Sequence, residues 1–141
     1  RDPAKPIVTR TIWIAIILHS LAIAGATLGA FILARFSLVL TPQASVTVSF
    51  FTLAFAQLWH VFNMRDPWSG LVRNEITRNK FVWVALVLSS GLLLLALFVP
   101  MAAEPLDLEM LSAEAWALVA VMSLIPLLLG QIAKTLTRLR R

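Results

Sequence analysis

Apolar residues in this chain gather into four long stretches separated by short polar segments, without the alternation of a half-buried strand. Residues 11–34 carry no formal charge. At ~1.5 Å of rise per residue, a helix of that length exceeds the ~30 Å hydrocarbon thickness of a bilayer. Thr41-Pro42-Gln43 breaks the run, and residues 44–64 supply a second uncharged stretch that ends at Arg65. The polar segment from Arg65 to Lys80 holds the turn formers Asp66-Pro67 and Ser69-Gly70, and a third span follows from Phe81 to Val99, closed by Pro100. Beyond an acidic loop, Ala115 to Ile132 forms the fourth, with Ser112 placed to cap its first turn, Glu114 near the positive end of its dipole, and Pro126 expected to kink it. The pattern predicts an all-α polytopic membrane protein. It is a bundle of four transmembrane helices in two antiparallel hairpins, over about 11–36, 44–64, 80–99 and 113–137, within one domain, 1–141.

Composition strengthens this picture. The chain is 60% hydrophobic and 13% charged, against roughly 45–50% and about 25% in soluble domains. With no cysteine, it has no disulfide framework, thiol nucleophile or thiolate metal site. The first residue is Arg1, and no signal-peptide pattern precedes the first span, so the chain is expected to come from a longer polypeptide.

Charge sets the expected orientation. Arg1, Lys5 and Arg10 precede the first span; Arg65, Arg73, Arg78 and Lys80 link the second and third; Lys134, Arg138, Arg140 and Arg141 follow the fourth. These are eleven of the twelve basic residues, and the positive-inside rule places them, with both termini, in the cytoplasm. The opposite side holds Arg35 with Glu104, Asp107, Glu109 and Glu114. The net charge of +5 is therefore assigned to topology, and no nucleic-acid partner is expected.

Candidate chemistry concentrates in the second span. Gln57, His60 and Asn63 recur at a spacing of three and line one drifting face. Gln57 can offer an oxygen to a cation, with His60 as a neighbouring ligand, proton carrier or hydrogen-bond donor; the alternative is that both bond to other helices. His19 in the first span reads as a packing residue. Gly25 and Gly29 form a GxxxG match that lets a second backbone approach closely. Gln131 can cap backbone groups or contact a partner helix, and Trp13, Trp83 and Trp116 sit where interfacial anchors belong. No membrane-embedded Asp or Glu occurs in any span, and neither HExxH nor GxxxxGK[ST] occurs, so no catalytic residue and no cofactor-binding residue is assigned.

The run Thr47-Val-Ser-Phe-Phe-Thr-Leu-Ala-Phe-Ala-Gln57-Leu-Trp-His60-Val-Phe-Asn63-Met-Arg65, followed by Leu71-Val-Arg73-Asn74-Glu-Ile-Thr-Arg78-Asn79-Lys80, resembles the last third of the membrane domain of P-type cation-transporting ATPases, in particular the calcium-pump branch. Arg1-Asp-Pro3-Ala-Lys5-Pro6-Ile resembles the loop before the seventh helix of those pumps, and Pro100, then Leu111-Ser112 and Trp116, the outer loop leading to the tenth. The resemblance implies that the spans are helices seven to ten, in a bacterial plasma membrane. Their partners would be lipid, the remaining helices and the transported cation, with ATP and Mg acting in the parent pump and no cofactor in this fragment. It aligns Gln57 with a glutamate ligand of reticulum calcium pumps and a glutamine of plasma-membrane calcium pumps and sodium pumps. His60 falls where relatives have asparagine or aspartate. The neutral Gln57 then implies one cation site, or a different cation, in place of a two-ion calcium site. The expected role is a membrane scaffold that supports and partly lines the cation site. Two other roles compete with it, a stand-alone four-helix adaptor or assembly protein and a channel or passive carrier subunit, and the isolated fragment is expected to self-associate through its packing faces.

Overall fold

The computed structural model describes residues 10–65, 70 and 73–139. Arg1, Lys5, Asp66-Pro67, Ser69, Leu71, Arg140 and Arg141, which enter the charge count, turn assignment or resemblance above, lie outside them. The described residues are mostly helical with no strand, and four helices are long and apolar enough to cross a membrane. Helix α1 spans Arg10–Ile32 and continues into a π-helical turn, Leu33–Ser37; α2 spans Pro42–His60 and tightens into a 3₁₀ turn, Val61–Met64. Helix α3 covers Lys80–Phe98, the short α4 covers Pro100–Ala103, and α5 covers Ala113–Leu139.

Local chemistry explains the ends. Helix α2 starts at Pro42, two residues before the uncharged stretch predicts, because Thr41 is its N-cap: the Thr41 hydroxyl accepts from the Ala44 amide at 3.0 Å while Pro42 occupies the first helical position. Asn79 caps α3 in the same way through the Phe81 amide, and Ser112 accepts from the Ala115 amide at the start of α5. The Thr41 hydroxyl also donates to the Glu109 carboxylate, and the Glu109 amide donates to the Thr47 hydroxyl at 2.9 Å. A carboxylate thereby sits at the positive end of α2. Thr41→Ala is expected to lower stability by about 1 kcal/mol, read as an earlier midpoint in unfolding titrations, with Thr41→Ser close to wild type.

Helices α1, α2 and α5 pack against one another and form the centre, while α3 lies against α2 at the side. The contact surface of α1 is a stripe of small residues, Ala26, Ala30 and Ala34, at most 5% exposed. Such a stripe lets helix backbones approach where lipid offers no hydrophobic drive for association. Opposite it, Val48 and Phe51 of α2 and Ala115 and Val119 of α5 are fully buried. Phe51 is ringed by Trp116, Phe50 and Phe55 at centroid distances of 5.0, 5.3 and 6.1 Å. Between α2, α3 and α5 a cavity of 290 Å³ opens among Phe55, Trp59, Leu94 and Trp116.

Candidate functional site

The three polar residues at spacing three do not share a surface. Each step of three residues falls about 60° short of a full turn, so Gln57 and Asn63 stand about 120° apart around the helix. Gln57 is exposed, His60 is half-buried and Asn63 is buried. Gln57 shares its side of α2 with Val46, Leu53 and Met64, which are 49, 38 and 68% exposed. Within a membrane span this is a bare strip, and the Gln57 amide has no hydrogen-bond partner among the described residues.

Turning inward, His60 meets His19 of α1, ring against ring at 4.8 Å between centroids and 64° between planes. Asn63, one turn further, belongs to a polar knot that joins the end of α2 to α5. The Gln131 side chain donates to the Phe62 carbonyl and to Asn63 Oδ1, and accepts from Arg65 Nε, each at 3.0 Å. Lys134 Nζ donates to the carbonyls of Asn63 and Arg65, and Asn63 Nδ2 reaches the Pro126 carbonyl at 3.5 Å. The carbonyls that a helix end leaves without partners are thus answered by α5 side chains in place of water. Gln131 both caps backbone groups and contacts a partner helix.

Arg65 and Lys134, counted from sequence only as topology charges, are structural here, Arg65 at 4% exposure. Arg65, just past a helix C-terminus, donates to the Gln131 side chain, and the terminal carbonyls are bound by Lys134 from within α5. Their partners, 66 to 71 positions away, left no trace in local spacing.

The glycine pair of α1 is divided. A Cβ on Gly29 would lie 2.9 Å from Met122 Cε of α5, whereas one on Gly25 would meet nothing within 4 Å. The tightest glycine is Gly130 of α5, where a Cβ would lie 2.5 Å from both His19 Nε2 and Asn63 Nδ2. Among the described residues, no three His, Cys, Asp or Glu side chains converge as metal ligands.

Comparison with known proteins adds two findings. The family described as "Cation transporting ATPase, C-terminus" matches residues 1–136. A curated relative, "Calcium-transporting ATPase 1" of Bacillus cereus, is 28% identical over 88 residues, which cover 62% of this chain and 10% of that protein. The matched segment is thus a tenth of that relative's length. No solved structure matches the chain.

Proposed function

The chain belongs to the family of cation-transporting ATPase C-terminal regions, and from that premise we propose that it forms the closing membrane helices of an ATP-driven cation pump, scaffolding the cation path and lining part of it through Gln57. The observation that carries this reading is the bare strip of α2. An amide with two donors and an accepting oxygen faces outward, about two-thirds of the way along the span Pro42–Met64, beside Val46, Leu53 and Met64. An unanswered amide in hydrocarbon is costly, so the strip calls for further protein or a hydrated path against it. The remaining transmembrane helices of the pump fill that role. Gly25, which no side chain approaches, offers them bare backbone on α1.

His60 stands apart from the path in this proposal, because its ring packs on His19. ATP and Mg act in the cytoplasmic portions of the complete pump, and the basic end of the bundle faces the cytoplasm of a bacterial plasma membrane. Calcium is the cation, by analogy with the name of the Bacillus cereus relative.

Gln57→Ala in the complete pump is expected to raise the calcium concentration for half-maximal ATP hydrolysis about tenfold, roughly the effect of one lost ligand interaction of 1.4 kcal/mol. Leu53→Ala, on the same strip, serves as the packing control and should leave that concentration near wild type. An unchanged calcium dependence in Gln57→Ala removes Gln57 from the path.

A further inference from the structure

We propose that the cavity between α2, α3 and α5 holds one acyl chain of a phospholipid with an ethanolamine headgroup, drawn from the leaflet at the acidic end of the bundle. This site rests on the reading of the Gln57 strip in one respect, which side of α2 the other pump helices cover. Phe55 and Trp59, which line the cavity, each lie two residues from Gln57, about 200° of helix turn. Both therefore stand on the far side of α2 from the strip. What meets the cavity there is bilayer.

The wall suits hydrocarbon. By size its 290 Å³ would admit water, but a buried water needs about two to four polar partners. The polar side chains deeper in the wall answer each other: Trp59 Nε1 donates to Ser123 Oγ at 3.3 Å, and Ser123 Oγ donates to the Ala120 carbonyl at 3.1 Å. The Phe55 and Trp59 rings stack one turn apart, 6.4 Å between centroids and 19° between planes, as a flat and rigid face. Leu94 of α3 and Ala120 and Leu124 of α5 are the exposed members of the lining, so the cavity opens sideways onto lipid. Left empty, such a space forfeits contacts along its whole lining.

Depth and charge select the lipid. On α5 the lining runs from Trp116 to Leu124, about 12 Å of helix rise, against the ~15 Å that one leaflet contributes to the hydrocarbon core. Trp116 stands in the first turn of α5, and its indole N–H has no hydrogen-bond partner among the described residues. An indole at that level belongs to the interface, where lipid ester carbonyls accept. At the same end of the bundle Glu104, Asp107, Glu109 and Glu114 outnumber Arg35. An ammonium headgroup complements that charge, and a net-anionic one is repelled.

Photolabelling of the complete pump tests the site. In vesicles of mixed phosphatidylethanolamine and phosphatidylglycerol, a trace of phosphatidylethanolamine carrying a diazirine midway along one acyl chain is photolysed, and its adducts are mapped by peptide mass spectrometry. Adducts on Leu94, Ala120 and Leu124 are expected at about five times the level on Leu92, a retention free energy of about 1 kcal/mol. Leu92 is the reference because it is 59% exposed on the opposite face of α3 at nearly the same depth. The same diazirine on phosphatidylglycerol should give a ratio at least twofold lower, and Ala120→Phe, which fills the cavity from its open side, should bring the ratio close to one. A wild-type ratio of one, the mark of ordinary surrounding lipid, would overturn the proposal. So would a ratio far below one, which means that a protein helix covers the cavity, equal labelling by the two headgroups, or a ratio unmoved by Ala120→Phe. The wild-type pump decides the first three without any variant. Adducts on Leu53 as frequent as those on Leu92 would instead refute the reading of the Gln57 strip, while the cavity ratio still decides this site.

Discussion

Gln131→Leu is expected to lower the stability of the bundle by about 2–3 kcal/mol. Leucine nearly matches glutamine in size, so packing changes little and the loss is chemical. The Phe62 carbonyl and Asn63 Oδ1 lose a donor, and Arg65 Nε loses an acceptor, all at 3.0 Å in the native knot. A buried group left unanswered costs about 1–3 kcal/mol in water-soluble proteins, while interhelical hydrogen bonds in membranes average only about 0.6. Three bonds at a half-buried position near the helix ends fall between these bounds. Equilibrium unfolding in mixed micelles measures the loss, and a double-mutant cycle with Asn63→Ala isolates the shared bond. A loss below about 0.5 kcal/mol, the range of ordinary surface substitutions, would show that water replaces Gln131 without penalty. Lys134→Met should cost less, since it leaves the side-chain bonds of Gln131 intact.

Phe51→Ala is expected to cost about 2–3 kcal/mol, by a different route. In water, deleting a buried phenyl forfeits both its transfer free energy and the contacts across the cavity left behind. In a bilayer the transfer component nearly vanishes, because lipid tails are as apolar as the core. The cavity component survives: at about 24 cal/mol per Å³, a void on the order of 100 Å³ gives ~2.4 kcal/mol. The loss of the Trp116 contact, a tilted ring pair at 5.0 Å, adds to it. Phe51→Leu, which refills most of the volume, should recover more than half of the stability in the same unfolding titration. If Phe51→Ala cost as little as an exposed substitution such as Val46→Ala, the residue would not be part of the packed centre.

These expectations show which features could be read from the chain and which could not. The spans were legible because absence of charge over some 20 residues is a local property, and the Ser112 cap because it acts within three residues of itself; Thr41 and Asn79 cap just as locally, yet read from sequence only as a break and a polar linker. The GxxxG signal was harder to read. On α1 the stripe that packs is Ala26, Ala30 and Ala34, one position beyond the glycines, and both sets have the same spacing of four. Spacing fixes which residues share a face but not which face finds a neighbour.

Sequence by itself determined that the chain crosses a membrane four times and has a basic and an acidic end, and it carried the family resemblance. All of these rest on composition along contiguous stretches, which solvent and lipid read directly. Tertiary structure alone decided that Gln57 faces out while His60 and Asn63 face in, that His19 meets His60, and that Arg65 binds the Gln131 side chain and Lys134 binds backbone carbonyls as well as bearing charge. A helix turns about 100° per residue, so residues close in sequence look to different sides. Partners then come from helices dozens of positions away, chosen by packing that no single stretch of the chain encodes.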